Sequence, residues 1–412
     1  MSSDAVRVTS GLGPVRWSTV IRALDPRVLV PALVLCAVGL VALAADRPEA
    51  AASQARWIAV GVAACLAVIV IPYRRLLDLI YPVYALAIVA LVLVVAGFGV
   101  ERNFATRWLQ LGPVGFQPSE VAKVAVVAAL ARYIRFRRDH RTFRGLLEPF
   151  LLTLLPLALI VMQPDLGTAL MLPPILFVML WAAGARSKHL LAVVLLGVAA
   201  IPLLWTFVIR DYQKARVLGF VHPAVEIVQD VRERVGLAPA AEAEPTPEEA
   251  RARRLQEQQV EDRRYHVERS LAAIASGHVS GAGFRQGAAN RTDYVPESWT
   301  DFIFTVHAEE WGFLGVLGLL GLEAALLLGL ATVAREVKEP AARLLAVGGM
   351  TLLGTQAFVN LAMTLGVAPV TGLPLPFLSY GGTSMVSSWL VLGLALNARA
   401  HRPLVFTERD FD

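Results

Sequence analysis

Apolar and polar positions divide this chain into long apolar runs separated by short polar connections. A helix that crosses a bilayer needs about 20 largely apolar residues. Runs of that kind lie near 28–45, 55–71, 76–98, 118–134, 147–163, 168–185, 189–209, 303–333, 342–367 and 382–398. The pattern predicts an all-α polytopic integral membrane protein of about ten helices.

The connections carry the orientation. Arg7, Arg16, Arg22 and Arg27 precede the first run, and Arg74 and Arg75 join the second to the third. Arg132, Arg135, Arg137, Arg138, Arg141 and Arg144 join the fourth to the fifth; Arg186 and Lys188 follow the sixth. Arg335, Lys338 and Arg343 follow the eighth, and Arg399 and Arg402 the tenth. Every second connection is basic, the positive-inside pattern with both termini cytoplasmic. The chain then reads as a cytoplasmic tail at 1–27, a membrane domain at 28–400 and a second tail at 401–412. The first tail lacks a small-residue cleavage site and reads as a tail, not a cleaved leader. The outward connections are 46–54, 99–117, 164–167, the long segment 210–302, and 368–381. Within the long one, 239–264 is rich in Ala, Glu, Pro and Arg, a charged linker and surface helix with no core of its own. No internal repeat is evident.

Composition agrees. The 412 residues are 56% hydrophobic and 17% charged, where soluble domains average about 45–50% and 25%. The net charge of +5 is the topology signal and need not mean nucleic acid. Cys36 and Cys65 lie inside apolar runs, so no disulfide framework is expected.

Against this background certain polar groups stand out. Glu297, Asp301, Glu309 and Glu310 crowd the doorstep of the apolar run after Gly312. Carboxylates at a membrane-helix mouth either favour the helix dipole or mark a functional site. Gln117-Pro-Ser-Glu-Val-Ala-Lys123 opens the fourth run; Ser119 suits an N-cap, and Glu120 and Lys123 share one helix face. A structural ion pair is the plain reading there. Asp165, in Gln163-Pro-Asp-Leu-Gly-Thr168, suits a cap for the sixth run. The 369–382 segment is dense in Pro and Gly yet apolar, a poor solvated loop. Its Ser379, Gly381 and Gly382 offer backbone N–H groups to an anion, and a re-entrant plug is the alternative. Arg56 begins the second run, where arginines commonly snorkel. Glu323 lies deep in the eighth run, and Gln356 and Asn360 pair at i, i+4 in the ninth. Glu120, Lys123, Asp165, Asp301 and 369–382 all fall on the outer side, as a shared polar cavity requires.

These pieces together resemble the SEDS family of cell-wall polymerases, the proteins of shape, elongation, division and sporulation. The matching residues are Arg107-Trp-Leu with Gln117-Pro-Ser-Glu-Val-Ala-Lys123, then Gln163-Pro-Asp-Leu-Gly-Thr168. Pro296-Glu-Ser-Trp-Thr-Asp-Phe-Ile-Phe304 with Ala308-Glu-Glu follows, then Pro374-Leu-Pro-Phe-Leu-Ser-Tyr-Gly-Gly382. Gln163-Pro-Asp and Thr371-Gly-Leu-Pro-Leu-Pro look RodA-like (elongation) rather than FtsW-like (division). The resemblance implies a peptidoglycan glycosyltransferase of the bacterial cytoplasmic membrane, polymerising lipid II into glycan strands on the outer face. It implies Asp301 as the essential acid, with Glu120, Lys123 and Asp165 at further family positions, and a class B penicillin-binding protein as partner. Two positions depart from the family pattern: Ala282 where a lysine is common, and Trp299 where a histidine is frequent.

The chemistry joins an acceptor sugar 4-hydroxyl to the anomeric carbon of a lipid-pyrophosphate donor. Asp301 suits the base, and Lys123 or Arg56 the cation near the pyrophosphate. Glu120 would position Lys123, and Gln117, Ser119, Asp165, Glu309 and Glu310 would support the site. No ligand cluster demands a metal, though a magnesium or manganese ion bridging carboxylate and pyrophosphate fits the chemistry. The rival classes are a flippase for the lipid-linked precursor and a non-catalytic scaffold for a transpeptidase. A flippase places its ionisable groups near mid-bilayer, whereas here they gather at the outer rim.

Overall fold

The computed structural model describes residues 21, 23–102, 105–112, 114–137, 141–163, 165–207, 261, 265–291 and 294–401. The charged 239–264 insertion, apart from residue 261, and most of both tails lie outside the described residues.

Among the described residues, ten long helices carry the fold. They are α1 (Pro26–Asp46), α2 (Pro48–Val70), α3 (Tyr73–Leu93), α4 (Pro118–Phe136), α5 (Leu147–Met162), α6 (Leu166–Ala182), α7 (Ser187–Phe207), α8 (Ile303–Glu336), α9 (Pro340–Thr364) and α10 (Gly382–Ala400). A shorter helix spans 265–276, and Ala288–Arg291 forms a single turn. The local sequence explains the starts. Prolines open α1, α2, α4 and α9, where the missing N–H has no partner to lose. The Asp25 and Glu339 carboxylates accept the next free amides, from Arg27 N at 3.0 Å and Ala342 N at 2.7 Å. Among the described residues, six helices are long and apolar enough to cross a membrane, namely α1, α2, α3 with its extension, α5 with its leading turn, α8 and α9. The chain is a multi-pass membrane protein.

The connection at 99–117 is not plain loop. α3 runs into a π-helical turn, Val94–Phe98, where Gly97 takes φ 96° and ends the helix. Three short antiparallel strands follow: β1 (Val100–Arg102), β2 (Ala105–Leu111) and β3 (Val114–Phe116). The all-α expectation is corrected to that extent. Gly112 at φ 62° makes the tight corner between β2 and β3.

α4 lies at the centre, packed against α3, α5, α6, α9 and α10. Its Ala122, Ala125, Ala128, Ala129 and Ala131 are buried and let neighbouring helices approach closely. A helix surrounded by protein need not be apolar enough for lipid, which is why α4 tolerates Glu120 and Lys123. The 369–382 segment plugs the bundle: Leu373, Leu375, Phe377 and Leu378 are buried, and Phe377 meets Trp389 of α10 edge-on at 5.3 Å. Irregular backbone inside a membrane bundle survives only when so enclosed.

α8 breaks at Gly312 (φ 62°, ψ −163°). The backbone groups freed there pair with the 277–283 segment. Phe313 N donates to His278 O at 2.9 Å, Ala282 N to Glu309 O at 2.9 Å and Gly283 N to Glu310 O at 3.0 Å. A Cβ at Gly277 would sit 2.2 Å from Ala308 O, and one at Gly281 2.1 Å from Glu310 O. The glycines of 276–283 are thus there for backbone approach.

Candidate functional site

The first cluster forms around Asp165, the N-cap of α6. Its carboxylate accepts from Thr168 N at 3.2 Å, Thr168 Oγ1 at 2.9 Å, Ser119 Oγ at 3.1 Å and Gln117 Nε2 at 3.2 Å. Arg107 of β2 adds an ion pair at 3.5 Å. Asp165 therefore joins the starts of α4 and α6 to the sheet, a saturated capping role. Gln117 and Ser119 serve the same knot.

The second cluster holds Lys123, which is 0% exposed, and Glu120 at 2%. The Lys123 ammonium donates to Glu120 Oε1 at 2.8 Å and to Gln356 Oε1 at 3.1 Å. Glu120 Oε2 accepts from Ser387 Oγ of α10 at 2.6 Å. Gln356 Nε2 in turn donates to Pro374 O at 2.8 Å. The pair ties α4, α9, α10 and the plug segment together, and charges enclosed this far from water survive only with such partners.

Glu309 is bound to the loop that precedes α8. Ala288 N and Ala289 N donate to its two oxygens at 2.9 and 2.8 Å, and Ser276 Oγ lies at 3.3 Å. Glu310 accepts from Arg285 N at 3.2 Å. Both carboxylates are buried and anchor the 276–291 segment to α8.

The plug's polar end is clamped by a residue that sequence reasoning passed over. Gln54 of α2 donates Nε2 to Ser379 O at 2.9 Å and accepts Gly381 N at 3.2 Å. Ser379 Oγ accepts from Leu375 N at 2.8 Å. The Gly381 amide, expected to face an anion, is thus occupied. Gly382 packs against Trp57, whose ring would lie 2.5 Å from an added Cβ. Arg56 is exposed, two positions along α2 from Gln54 and so on nearly the opposite face, with no polar partner among the described residues. A buried glutamine in a membrane helix was the available signal for Gln54.

Asp301 is built differently. It ends a wound turn, in which Thr300 N and Phe302 N both donate to Glu297 O at 3.2 and 3.1 Å. Glu297 takes φ 53°, an unusual backbone for a residue with a Cβ. Asn360 of α9 fixes the other side, donating Nδ2 to Asp301 O at 2.8 Å and Leu373 O at 2.6 Å. The carboxylate faces Gly372 (φ 74°), with Oδ2 3.3 Å from where a Cβ would stand. Asp301 is only half-buried, while Phe302 to Glu310 behind it are buried throughout. Beside it, the Trp299 and Tyr380 rings stack at 4.8 Å, and the Arg47 guanidinium lies 5.2 Å from the Trp299 ring. Glu323, deep in α8, is buried with Oε1 unpaired among the described residues. No group of three or more His, Cys, Asp or Glu among the described residues is arranged to hold a metal ion.

One backbone-anchored path links the two halves of the site. Asp301 O and Leu373 O meet at Asn360, Pro374 O meets Gln356, and Gln356 meets Lys123. Asn360 and Gln356 are one turn apart on α9, so a single helix face aligns the acid with the buried pair.

The chain matches the family of FtsW, RodA and SpoVE cell cycle proteins over residues 28–230 and 249–403. It is 33% identical over 322 residues to the peptidoglycan glycosyltransferase MrdB of Escherichia coli K12, covering 78% of each chain. To the probable peptidoglycan glycosyltransferase FtsW of Geobacter sulfurreducens it is 32% identical over 331 residues, 79% of each. Among solved structures, it resembles a chain of a peptidoglycan synthase complex that coordinates polymerisation and crosslinking. That likeness has a TM-score of 0.70 and 31% identity, covering 94% of this chain and 98% of the other. The rod shape determining protein RodA of Thermus thermophilus matches at TM-score 0.63 and 30% identity, over 92% and 97%. With the site's motifs in family order and most of its length covered, this chain belongs to the SEDS family, on its RodA-like side.

Proposed function

We propose that this protein is a peptidoglycan glycosyltransferase that polymerises lipid II at the outer face of the bacterial cytoplasmic membrane, in elongation and shape maintenance. The observation that carries the reading is the state of Asp301. Asp165, Glu120, Glu309 and Glu310 are buried, whereas Asp301 is half-buried, is anchored at its backbone carbonyl by Asn360 and turns its carboxylate toward Gly372 at the mouth.

The acceptor's 4-hydroxyl attacks the donor's anomeric carbon, and the bond from that carbon to the pyrophosphate oxygen breaks. Asp301 takes the hydroxyl proton, and the lipid pyrophosphate leaves as the anion. The wound turn and the Asn360 bond to the Asp301 carbonyl keep the residue at one place, which is what a positioned base needs. Lys123, wholly enclosed, acts at a distance: through Gln356 and Pro374 it fixes the plug that forms the far wall.

All ten helices are taken to span the bilayer, with both termini cytoplasmic and 210–302 outside. α4, α6, α7 and α10 are shorter or more polar than the six apolar spans, which α4 and α10 tolerate because protein encloses them. The RodA-like identity and the likeness to a chain from a polymerising and crosslinking complex support a class B penicillin-binding protein as partner.

The test is glycan polymerisation from purified lipid II by the reconstituted protein, with and without a class B penicillin-binding protein, in magnesium, manganese or EDTA. Asp301→Asn should lower the rate about 10²- to 10⁴-fold while the protein inserts and unfolds as wild type. Glycan product at the wild-type rate from Asp301→Asn would reject the reading.

A further inference from the structure

The arginines and lysines on the side that the basic connections assign to the cytoplasm fall into two sets. One set is paired. Arg27 and Arg399 meet Asp25 at 2.8 and 2.7 Å, Arg135 meets Glu339 at 3.0 Å, and Arg137 meets Glu148 at 3.5 Å. The other set is Arg141 and Arg144, ahead of α5, with Arg186 and Lys188 at the start of α7. All four are exposed, and no acidic side chain among the described residues pairs with them.

The fold lays these two connections side by side. After α6, Gly184 at φ 92° turns the chain toward α7. Arg141 crosses over this glycine, its Nη2 3.7 Å from where a Cβ would stand. Next to it the Phe143 ring meets the His189 ring edge-on, with centroids 6.2 Å apart. Each connection is wound on itself: Gly145 N donates to Thr142 Oγ1 at 3.2 Å, and His189 N to Arg186 O at 2.9 Å. Leu146 and Ala185 are buried beneath. His189 Nδ1 is enclosed with no partner among the described residues, so the chain's own hydrogen bonds do not complete this seam.

Apolar side chains flank the four cations. Phe143, Leu147, Trp181 and Leu191 are all exposed, in or next to the same two connections. At the end of a membrane helix such side chains face the acyl chains, and neighbouring cations reach out to headgroup depth. A soluble acidic segment would engage the cations and leave the aromatic and leucine surface uncovered. An anionic phospholipid covers both, with a phosphate for the guanidinium forks and acyl chains for the apolar flank.

We propose that Arg141, Arg144, Arg186 and Lys188 form a binding site for the phosphate of an anionic phospholipid. The headgroup lies across the seam and is held from both connections. The site is at the far end of α6 from Asp165, and it stands whether or not the chain polymerises lipid II.

The probe is dioleoylphosphatidylglycerol, titrated onto the full chain in detergent and read by native mass spectrometry. Dioleoylphosphatidylcholine supplies the same chains on a zwitterion, and inorganic phosphate supplies the anion without chains. Wild type should hold phosphatidylglycerol at least about tenfold tighter than phosphatidylcholine, the size of a charge-assisted contact. Arg141→Gln with Arg186→Gln should bring the two lipids within about twofold of each other. Arg144→Gln with Lys188→Gln should do the same, so the outcome does not hang on the folding of one variant. Arg141→Lys with Arg186→Lys should keep part of the preference, because charge is retained and the fork is lost. Arg335→Gln with Lys338→Gln removes equal charge beyond the end of α8 and should leave the preference intact. Equal affinity of wild type for the two lipids would overturn the proposal. So would an equal loss in the α8 control, which would mark diffuse surface charge. Displacement of the lipid by an equal concentration of inorganic phosphate would mark a soluble-anion site, and displacement by a poly-glutamate peptide a protein-docking surface; either overturns it as well.

Discussion

The Glu120–Lys123 pair and Asp301 are tied to the same plug segment through neighbouring residues of α9, yet their surroundings differ in kind. Lys123 has no exposed surface, and its ammonium is shared between a carboxylate and an amide. Asp301 is half-buried, and Asn360 anchors it at the backbone carbonyl. A charge whose hydrogen bonds are completed inside the protein stabilises one arrangement of helices and has little left for a ligand. A half-exposed charge on an anchored backbone is placed where a substrate can reach it. The two regions should therefore answer mutation differently, one in turnover and the other in stability.

The largest effect tests the open side. Asp301→Asn should remove about 10²- to 10⁴-fold of polymerisation while thermal unfolding in detergent barely moves. If unfolding shifted as far as activity, Asp301 would belong with the buried cluster and the contrast would disappear.

Next comes Lys123→Met. It leaves Glu120 enclosed with only Ser387 as partner, and breaking a buried pair in this way costs about 3–5 kcal/mol. Adding Glu120→Gln should restore a large part, as seen by thermal unfolding of the double variant. Exchanging the two charges is a poorer probe. Gln356 must turn its oxygen to Lys123 because its nitrogen serves Pro374 O, so a carboxylate at 123 would face an acceptor. A lost function in the exchanged protein would not separate a structural pair from a substrate contact.

Much of this was legible in the chain. The ten runs anticipated α1 to α10 within a few residues at most ends, because lipid-length apolar runs and proline starts are local signals. The motifs around Glu120, Asp165, Asp301 and 369–382 were equally visible. Their division into buried and half-exposed groups was not, because it depends on distant partners: Gln54 for Gly381, Gln356 for Lys123, Ala288 and Ala289 for Glu309. The strands at 100–116 were missed since β1 and β3 are three residues each and β2, Ala105–Leu111, does not alternate; their pairing, not their pattern, defines them. Arg47 was not singled out in the chain, and only the fold brings it to Trp299.

A smaller effect sharpens the open side. At Gly372, φ 74° suits glycine, and a methyl group would sit 3.3 Å from Asp301 Oδ2. Gly372→Ala should lower kcat about tenfold through a displaced carboxylate, since small misplacements of a reacting group are costly. The effect on unfolding should stay near the roughly 1 kcal/mol of a left-handed backbone strain. An unchanged kcat would show that the carboxylate can shift freely, and that its position at the mouth is not what catalysis requires.

The smallest effect comes from the opposite end of the bundle, where an ion cluster is open to water. Arg399 of α10 meets Asp25 at 2.7 Å and Glu336 at 3.0 Å, while Arg27 meets the same two acids at 2.8 Å each. Burial pushes the Asp25 carboxyl up, but the hydrogen bonds from Arg27 and the charge of Arg399 outweigh it and hold the group below its ordinary value. Such a depressed carboxyl contributes stability that is complete above its unfolded value of 3.8 and is lost as pH falls through the lower folded one. Arg399→Gln removes one of two cations from a partly solvated cluster, and Arg27 still serves both acids. The loss should be under about 1 kcal/mol at neutral pH, and added salt should shrink it. The gap from wild type should stay constant from pH 8 to about pH 5 and close below that as Asp25 takes up its proton. Measured by thermal unfolding across pH and salt, a loss matching that of Lys123→Met would show that partner number, not enclosure, sets the strength of an ion pair here.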